Sequence, residues 1–177
     1  MGTDFYLAYI KPYAGIIIKI CRAYTNNQDD FEDYYQEVCL QIWRSHERFE
    51  GLSDWSTWVY RVALNVCLTY LKRDKKRKLN QSLDNGIDDA AADTVADKVA
   101  PLLISDTSAE LKDLNFLYAL IRKLSETDRA LILLYLDELS YQQIAAITGT
   151  NSNNVGVRIS RIKQRLSIMA NQDEETE

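Results

Sequence analysis

Apolar residues return every three or four positions along most of this chain, and those returns predict helices rather than strands. The stretch FYLAYIKPYAGIIIKICRAYT (residues 5–25) is a first helical segment, with Pro12 near the start of its longer part. A second helix, DFEDYYQEVCLQIWRSHERF, opens at Asp29 or Asp30 and carries Phe31, Tyr34, Tyr35, Val38, Ile42 and Phe49 as its buried stripe. A short loop, EGLSD, leads to a third helix, WSTWVYRVALNVCLTYLKRDKKRK, capped by Ser53 or Asp54, with Trp55, Val59, Val62, Val66 and Tyr70 in its core stripe. Between about 80 and 113 the texture changes to Asp, Ser and Thr with few aromatics, which reads as a flexible linker. Four more helices follow: NFLYALIRKL, then SETDRALILLYLDEL with Ser125 and Asp128 in a capping arrangement, then SYQQIAAITG and NSNNVGVRISRIKQRL. The expected fold is therefore all-α: two small helical domains joined by a flexible acidic linker.

The last two helices have the pattern of a helix-turn-helix. Ser140 caps a short helix whose Ile144, Ala145 and Ile147 face inward, and Gly149 supplies a positive φ at the turn. Asn151 or Ser152 caps the next helix. On it Val155, Ile159, Ile162 and Leu166 make one apolar stripe, while Asn154, Arg158, Arg161 and Arg165 share its spacing about 100° away. One side packs and its neighbour presents three guanidiniums. Gly156 inside this helix costs about 1 kcal/mol relative to Ala, and either close approach to a DNA backbone or close helix packing accounts for it.

Charge sharpens this picture. The 177 residues carry a net charge of −5, but unevenly: +2 over 1–79, −6 over 80–115, +3 over 116–170 and −4 over 171–177. Residues 139–172 hold no acid at all, where the chain's average frequency would place about five. Solvated helix faces normally mix signs. A face kept free of carboxylates suits a polyanion, and arginine serves both phosphates and guanine edges in a major groove. The helix over 55–78 ends in six bases within seven residues, more than its macrodipole needs, and the aromatic Trp58 borders the face holding Arg61, Asn65 and Lys72. Aromatics beside cations suit single-stranded DNA, although spacing alone leaves Trp55 and Trp58 open between stacking and core.

Other chemistries lack their residues. A single histidine, His46, excludes multi-His metal sites and makes His-based triads improbable; no Gly-rich phosphate loop occurs, and no cofactor is expected. The three cysteines (Cys21, Cys39, Cys67) lie far apart without a CxxC, which reads as buried thiols in a reducing cytosol. No apolar run reaches the roughly 18 residues of a membrane span and no signal peptide is evident, so a cytoplasmic location is expected.

Two ordered motifs carry a family resemblance. The D-x-x-Q-E-V run at 33–38, Trp43 five residues later, the F-x-G loop at 49–51 and the T-W-x-Y-R-V-A-x-N helix at 57–65 resemble region two of the extracytoplasmic-function (ECF) sigma factors, specificity subunits of bacterial RNA polymerase. The stretch LIRKLSETDRALILLYLDELSYQQIAAITGTNSNNVGVRISRIKQRL resembles region four. The resemblance implies region two over 1–79, a linker over 80–113, region four over 114–170 and an acidic tail over 171–177. It implies that Asp33, Gln36, Glu37, Gln41 and Trp43 bind core polymerase. It also implies that Phe49, Glu50, Gly51, Leu52, Ser53 and Asp54 form a loop capturing a flipped base of the melted −10 element. Trp58, Tyr60, Arg61, Asn65, Lys72 and Arg73 follow on the strand-separating helix. Tyr141, Asn151, Ser152, Asn153, Asn154, Arg158, Arg161, Lys163 and Arg165 are then implied to read the −35 duplex. Core polymerase, promoter DNA and an anti-sigma factor, often membrane-anchored, are the implied partners, with no catalysis and no small-molecule substrate. Tyr34 and Tyr35 stand where many members have aliphatics, and Asn154 and Gly156 replace the commoner Thr and Lys of the reading helix. The competing readings are a helix-turn-helix regulator that binds an operator without polymerase and, more remotely, a nucleic-acid-modifying enzyme.

Overall fold

The computed structural model describes residues 3–84 and 108–174, and all regular structure among them is helical. The elements run α1 (Thr3–Phe5), a π-helical turn (Tyr6–Ile10), a 3-10 turn (Lys11–Tyr13), α2 (Ala14–Tyr24), α3 (Gln28–Ser45), a 3-10 turn (His46–Arg48) and α4 (Trp55–Asp84). They continue with α5 (Ser108–Arg122), α6 (Glu126–Leu136), α7 (Tyr141–Thr148) and α8 (Ser152–Glu174). The chain forms two compact units: residues through Glu50 together with α4 from Val62 onward, and Gly51–Arg61 together with α5–α8.

In the first unit, Pro12 breaks what the periodicity presents as one helical segment. Proline lacks an N–H and its ring crowds the carbonyl four residues back. The chain absorbs this with π and 3-10 turns before α2 begins. Helix α3 starts one or two residues earlier than the Asp29 or Asp30 expected. Asn27 is the N-cap: its backbone is extended and its side chain accepts from the Asp30 N–H at 2.8 Å. Asp29 and Asp30 instead lie in the first turn, where negative charge meets the positive end of the helix dipole. Ile17, Ile20, Cys21 and Tyr24 of α2 are buried, as are Tyr34, Val38 and Ile42 of α3 and Ala63, Val66 and Cys67 of α4. Helix α4 continues to Asp84 and α5 begins at Ser108, so both ends of the segment read as a linker are helical. Its remainder and the last three residues of the acidic tail lie outside the described residues.

Folding brings the cysteines together from three helices. Cys67 hydrogen-bonds Cys21, and with burial this holds the Cys21 thiol well above its ordinary range. Burial raises the Cys39 thiol from 9.0 to about 11. A thiol held up in the folded state favours folding below the unfolded pKa, and that advantage is lost as pH rises toward the folded value. The thiols' contribution to the urea midpoint is therefore expected to be full near pH 7 and to fall progressively from about pH 8 to 11. In parallel, a thiol-directed alkylator at pH 8 should leave all three cysteines unmodified until denaturant is added. Rapid native-state labelling would contradict the packing.

The second unit is organised around α6. Its residues Ala130, Leu131, Ile132, Leu133 and Leu134 are all buried, which is why this helix reads as an unbroken apolar run rather than a stripe. Ser125 caps it, accepting from Asp128 N–H at 3.2 Å. Arg129 is buried beside that cap and donates to the carbonyls of Arg122 (2.6 Å) and Leu124 (3.3 Å). A guanidinium thus satisfies carbonyls left over where α5 ends, at the negative end of its dipole. Ile144, Ala145 and Ile147 of α7 and Val155, Ile159 and Ile162 of α8 complete this core.

Candidate nucleic-acid interface

Helices α7 and α8 owe their relative placement to local sequence. Ser140 and Gln143 form a reciprocal capping box: the Ser140 Oγ accepts from Gln143 N–H at 3.2 Å, and Gln143 Oε1 accepts from Ser140 N–H at 2.9 Å. Gly149 ends α7 in the left-handed region (φ 73°, ψ 26°), and its N–H donates to the Ala145 carbonyl at 2.9 Å. Asn151 then caps α8, accepting from Asn154 N–H at 2.8 Å, so of the two candidate caps it is Asn151 that serves, while Ser152 is the first helical residue.

Of the predicted packing stripe of α8, Val155, Ile159 and Ile162 are buried and Leu166 is half-buried; of the predicted polar stripe, Asn154, Arg161 and Arg165 are exposed and Arg158 is half-buried. Asn153 and Lys163 are exposed as well. Arg158, Arg161 and Arg165 line a cleft of about 300 Å³ together with Asp128 and Ile162. Arg158 is not free in it: its Nη2 lies 2.6 Å from Asp128 Oδ1. Among the described residues, Arg161 and Arg165 make no ion pair. Lys163 lies over the Tyr135 ring at 5.3 Å. Close packing favours glycine at 156, since a Cβ there would meet Cε2 and Cδ2 of Tyr141 at 3.2 and 3.5 Å. Tyr141, 43% exposed, thus covers the first turns of α8. Sequence spacing missed Asp128 as a partner of Arg158, because thirty residues separate them and nothing local signals the contact.

The residues expected to meet melted DNA lie on the loop after α3 and the start of α4. Gly51 has φ 70°, a conformation that explains glycine at this loop position. Leu52 at its tip is 88% exposed, Glu50 and Asp54 are exposed, and Phe49 and Ser53 are half-buried. The Asp54 carbonyl accepts from Trp58 N–H at 3.1 Å, which places Asp54 at the N-cap position of α4. Trp55 and Trp58 are both half-buried with ring centroids 4.6 Å apart, so neither is sealed in the core. Tyr60 is buried and its hydroxyl donates to Asp137 Oδ2 at 2.6 Å; Arg61 donates to the Ala146 carbonyl at 2.6 Å, and all four residues belong to the second unit. Asn65, Lys72 and Arg73 are exposed. Arg73 lies over the Tyr70 ring at 5.3 Å.

On α3, Asp33, Gln36 and Gln41 are exposed, Trp43 is 40% exposed, and Glu37 is half-buried and hydrogen-bonded to Tyr70. Asp33, Gln36 and Trp43 lie on the side of the helix away from the buried Phe31, Tyr34, Val38 and Ile42, whereas Glu37 and Gln41 lie toward the edge of that buried stripe. Among the described residues no group of His, Cys, Asp or Glu is arranged to hold a metal ion, and no helix is long and apolar enough to cross a membrane.

A short capped helix, a left-handed glycine turn and a longer helix with a basic edge define a helix-turn-helix DNA-binding protein. Sigma-70 region 2 matches residues 9–77 and Sigma-70, region 4 matches residues 116–166. The ECF RNA polymerase sigma-E factor of Escherichia coli (strain K12) is 30% identical over 142 residues, covering 77% of this chain and 72% of that protein. This chain belongs to the ECF RNA polymerase sigma factors. The ECF RNA polymerase sigma factor SigG of Mycobacterium tuberculosis (strain H37Rv) is 38% identical over 72 residues, 41% of this chain, and the match spans 20% of the length of SigG. The same fold occurs in the sigma factor RpoE of Bartonella quintana, solved in complex with the anti-sigma factor NepR (TM-score 0.70, 22% identity, 96% of this chain and 98% of that chain).

Proposed function

We propose that this protein directs bacterial core RNA polymerase to promoters, acting by binding alone and without catalysis, in the cytoplasm. In this reading region two occupies 1–79 and region four 114–170, with 80–113 as the connector and 171–177 as the tail. Asp33, Gln36, Glu37, Gln41 and Trp43 bind core polymerase. The 49–54 loop, with Trp58, Asn65, Lys72 and Arg73, holds unpaired bases and backbone of the −10 element. Tyr60 and Arg61 join them by exchanging their present hydrogen bonds for nucleotide ones. The face of α8 and Tyr141 dock on the −35 duplex. An anti-sigma factor is the expected antagonist, as NepR is a partner of the Bartonella relative.

The observation that carries the reading is the exposed Arg161–Arg165 edge, held beside a correctly turned α7 in a stretch without a single acid. Such an edge supports phosphate neutralisation, which makes binding salt-dependent. The deciding test is a band-shift of promoter duplex with and without core polymerase. Weak binding by the isolated protein and strong, promoter-selective binding with core enzyme are expected. Tight operator-like binding by the isolated protein would favour a regulator that works without polymerase.

A further inference from the structure

Helix α8 carries one large apolar side chain on its exposed face within the first three turns, Val157, which is 53% exposed. Its neighbours at three and four residues are Asn153 and Asn154 on one side and Ser160 and Arg161 on the other, all exposed. Val157 therefore sits at the centre of the polar face, not at the edge of the buried Val155–Ile159–Ile162 stripe. A β-branched residue lowers helix stability relative to Ala, and the preceding Gly156 lowers it further. The Tyr141 ring explains the glycine. No packing explains the valine.

We infer that Val157 is a base-specificity determinant whose ligand is the 5-methyl group of thymine in the major groove of the upstream promoter element. This rests on the reading of α8 as the duplex-docking helix. Thymine is the base that presents a methyl in that groove, and an apolar side chain is its complement. Asn153 and Asn154 flank the valine with carboxamides, which pair with adenine N6 and N7, so the face is matched to A·T-containing sequence. Arg161, one turn further, is placed for phosphate or guanine, and no carboxylate is present to select cytosine.

The test uses holoenzyme, formed from core polymerase and the full chain, on duplexes selected from a library randomised upstream of the −10 element. Each thymine of the selected element is then replaced by deoxyuridine, which removes only the methyl. Wild-type holoenzyme should lose about fourfold in affinity at one thymine, the factor expected for one methyl leaving an apolar contact. Val157→Ala, which favours the helix and so retains the fold, should shrink that penalty at the same position, because its side chain stops at Cβ. Indifference of the wild type to deoxyuridine at every thymine would overturn the inference, as would an undiminished penalty in Val157→Ala. Failure of the parent reading looks different: holoenzyme would then select no upstream sequence at all, and the assignment of Val157 would fall with it.

Discussion

The double substitution Arg161→Glu, Arg165→Glu is expected to reduce holoenzyme affinity for a promoter by at least about a hundredfold, with the fold intact. Both guanidiniums are exposed and, among the described residues, free of ion pairs, so their replacement breaks nothing inside the protein. Hydrogen bonds to charged groups contribute about 1.5–3 kcal/mol each, and reversal adds repulsion from phosphates. The dependence of log affinity on log salt should become shallower by about 2, the slope of two lost phosphate contacts. Circular dichroism and urea midpoints should match the wild type. Unchanged affinity and slope would remove this edge from the DNA interface. Arg158 is a poorer choice for the same test, because its bridge to Asp128 ties α8 to the start of α6 and its loss alters packing as well as charge.

The second large effect lies on the opposite side of the same helix. Ile159→Ala is expected to destabilise the C-terminal unit by about 3 kcal/mol, within the roughly 2–5 kcal/mol seen when a buried isoleucine is cut to alanine. Ile159 is fully enclosed in the core shared by α6, α7 and α8, and no small movement of one helix fills the space it leaves. The urea midpoint should fall with little change in slope, and promoter binding at low temperature should persist in the fraction still folded. Binding lost in proportion to unfolding, set against binding lost without unfolding in the arginine variant, separates the packing stripe from the contact stripe residue by residue. A midpoint unchanged by Ile159→Ala would mean that α8 is not anchored as described.

The helix-turn-helix was legible in the sequence because every device in it is local. Ser140 and Gln143 are three residues apart, Gly149 follows the last apolar return, and the α8 stripes obey one helical period. Features set by distant residues were not legible. The Asp128–Arg158 bridge, the burial of Arg129 against the end of α5 and the meeting of Cys21, Cys39 and Cys67 depend on how helices pack. Local rules also compete. Asn27, Asp29 and Asp30 are all good N-caps by composition, and only the extended backbone at Asn27 decides among them. Pro12 lies in the 3-10 turn just before α2 rather than in its first turn, and gave no sign of the π-helical turn before it. Val157 is inconspicuous among its polar neighbours, since an exposed valine carries no charge or pattern of its own.

Run-off transcription on templates bearing the selected promoter, with core RNA polymerase in the presence and absence of this protein, is the most direct measurement. The account predicts a discrete product of promoter-defined length that appears only when the protein is added and disappears with Arg161→Glu, Arg165→Glu. Core enzyme that gives the same products with and without the protein, on every template it was selected to bind, would contradict it.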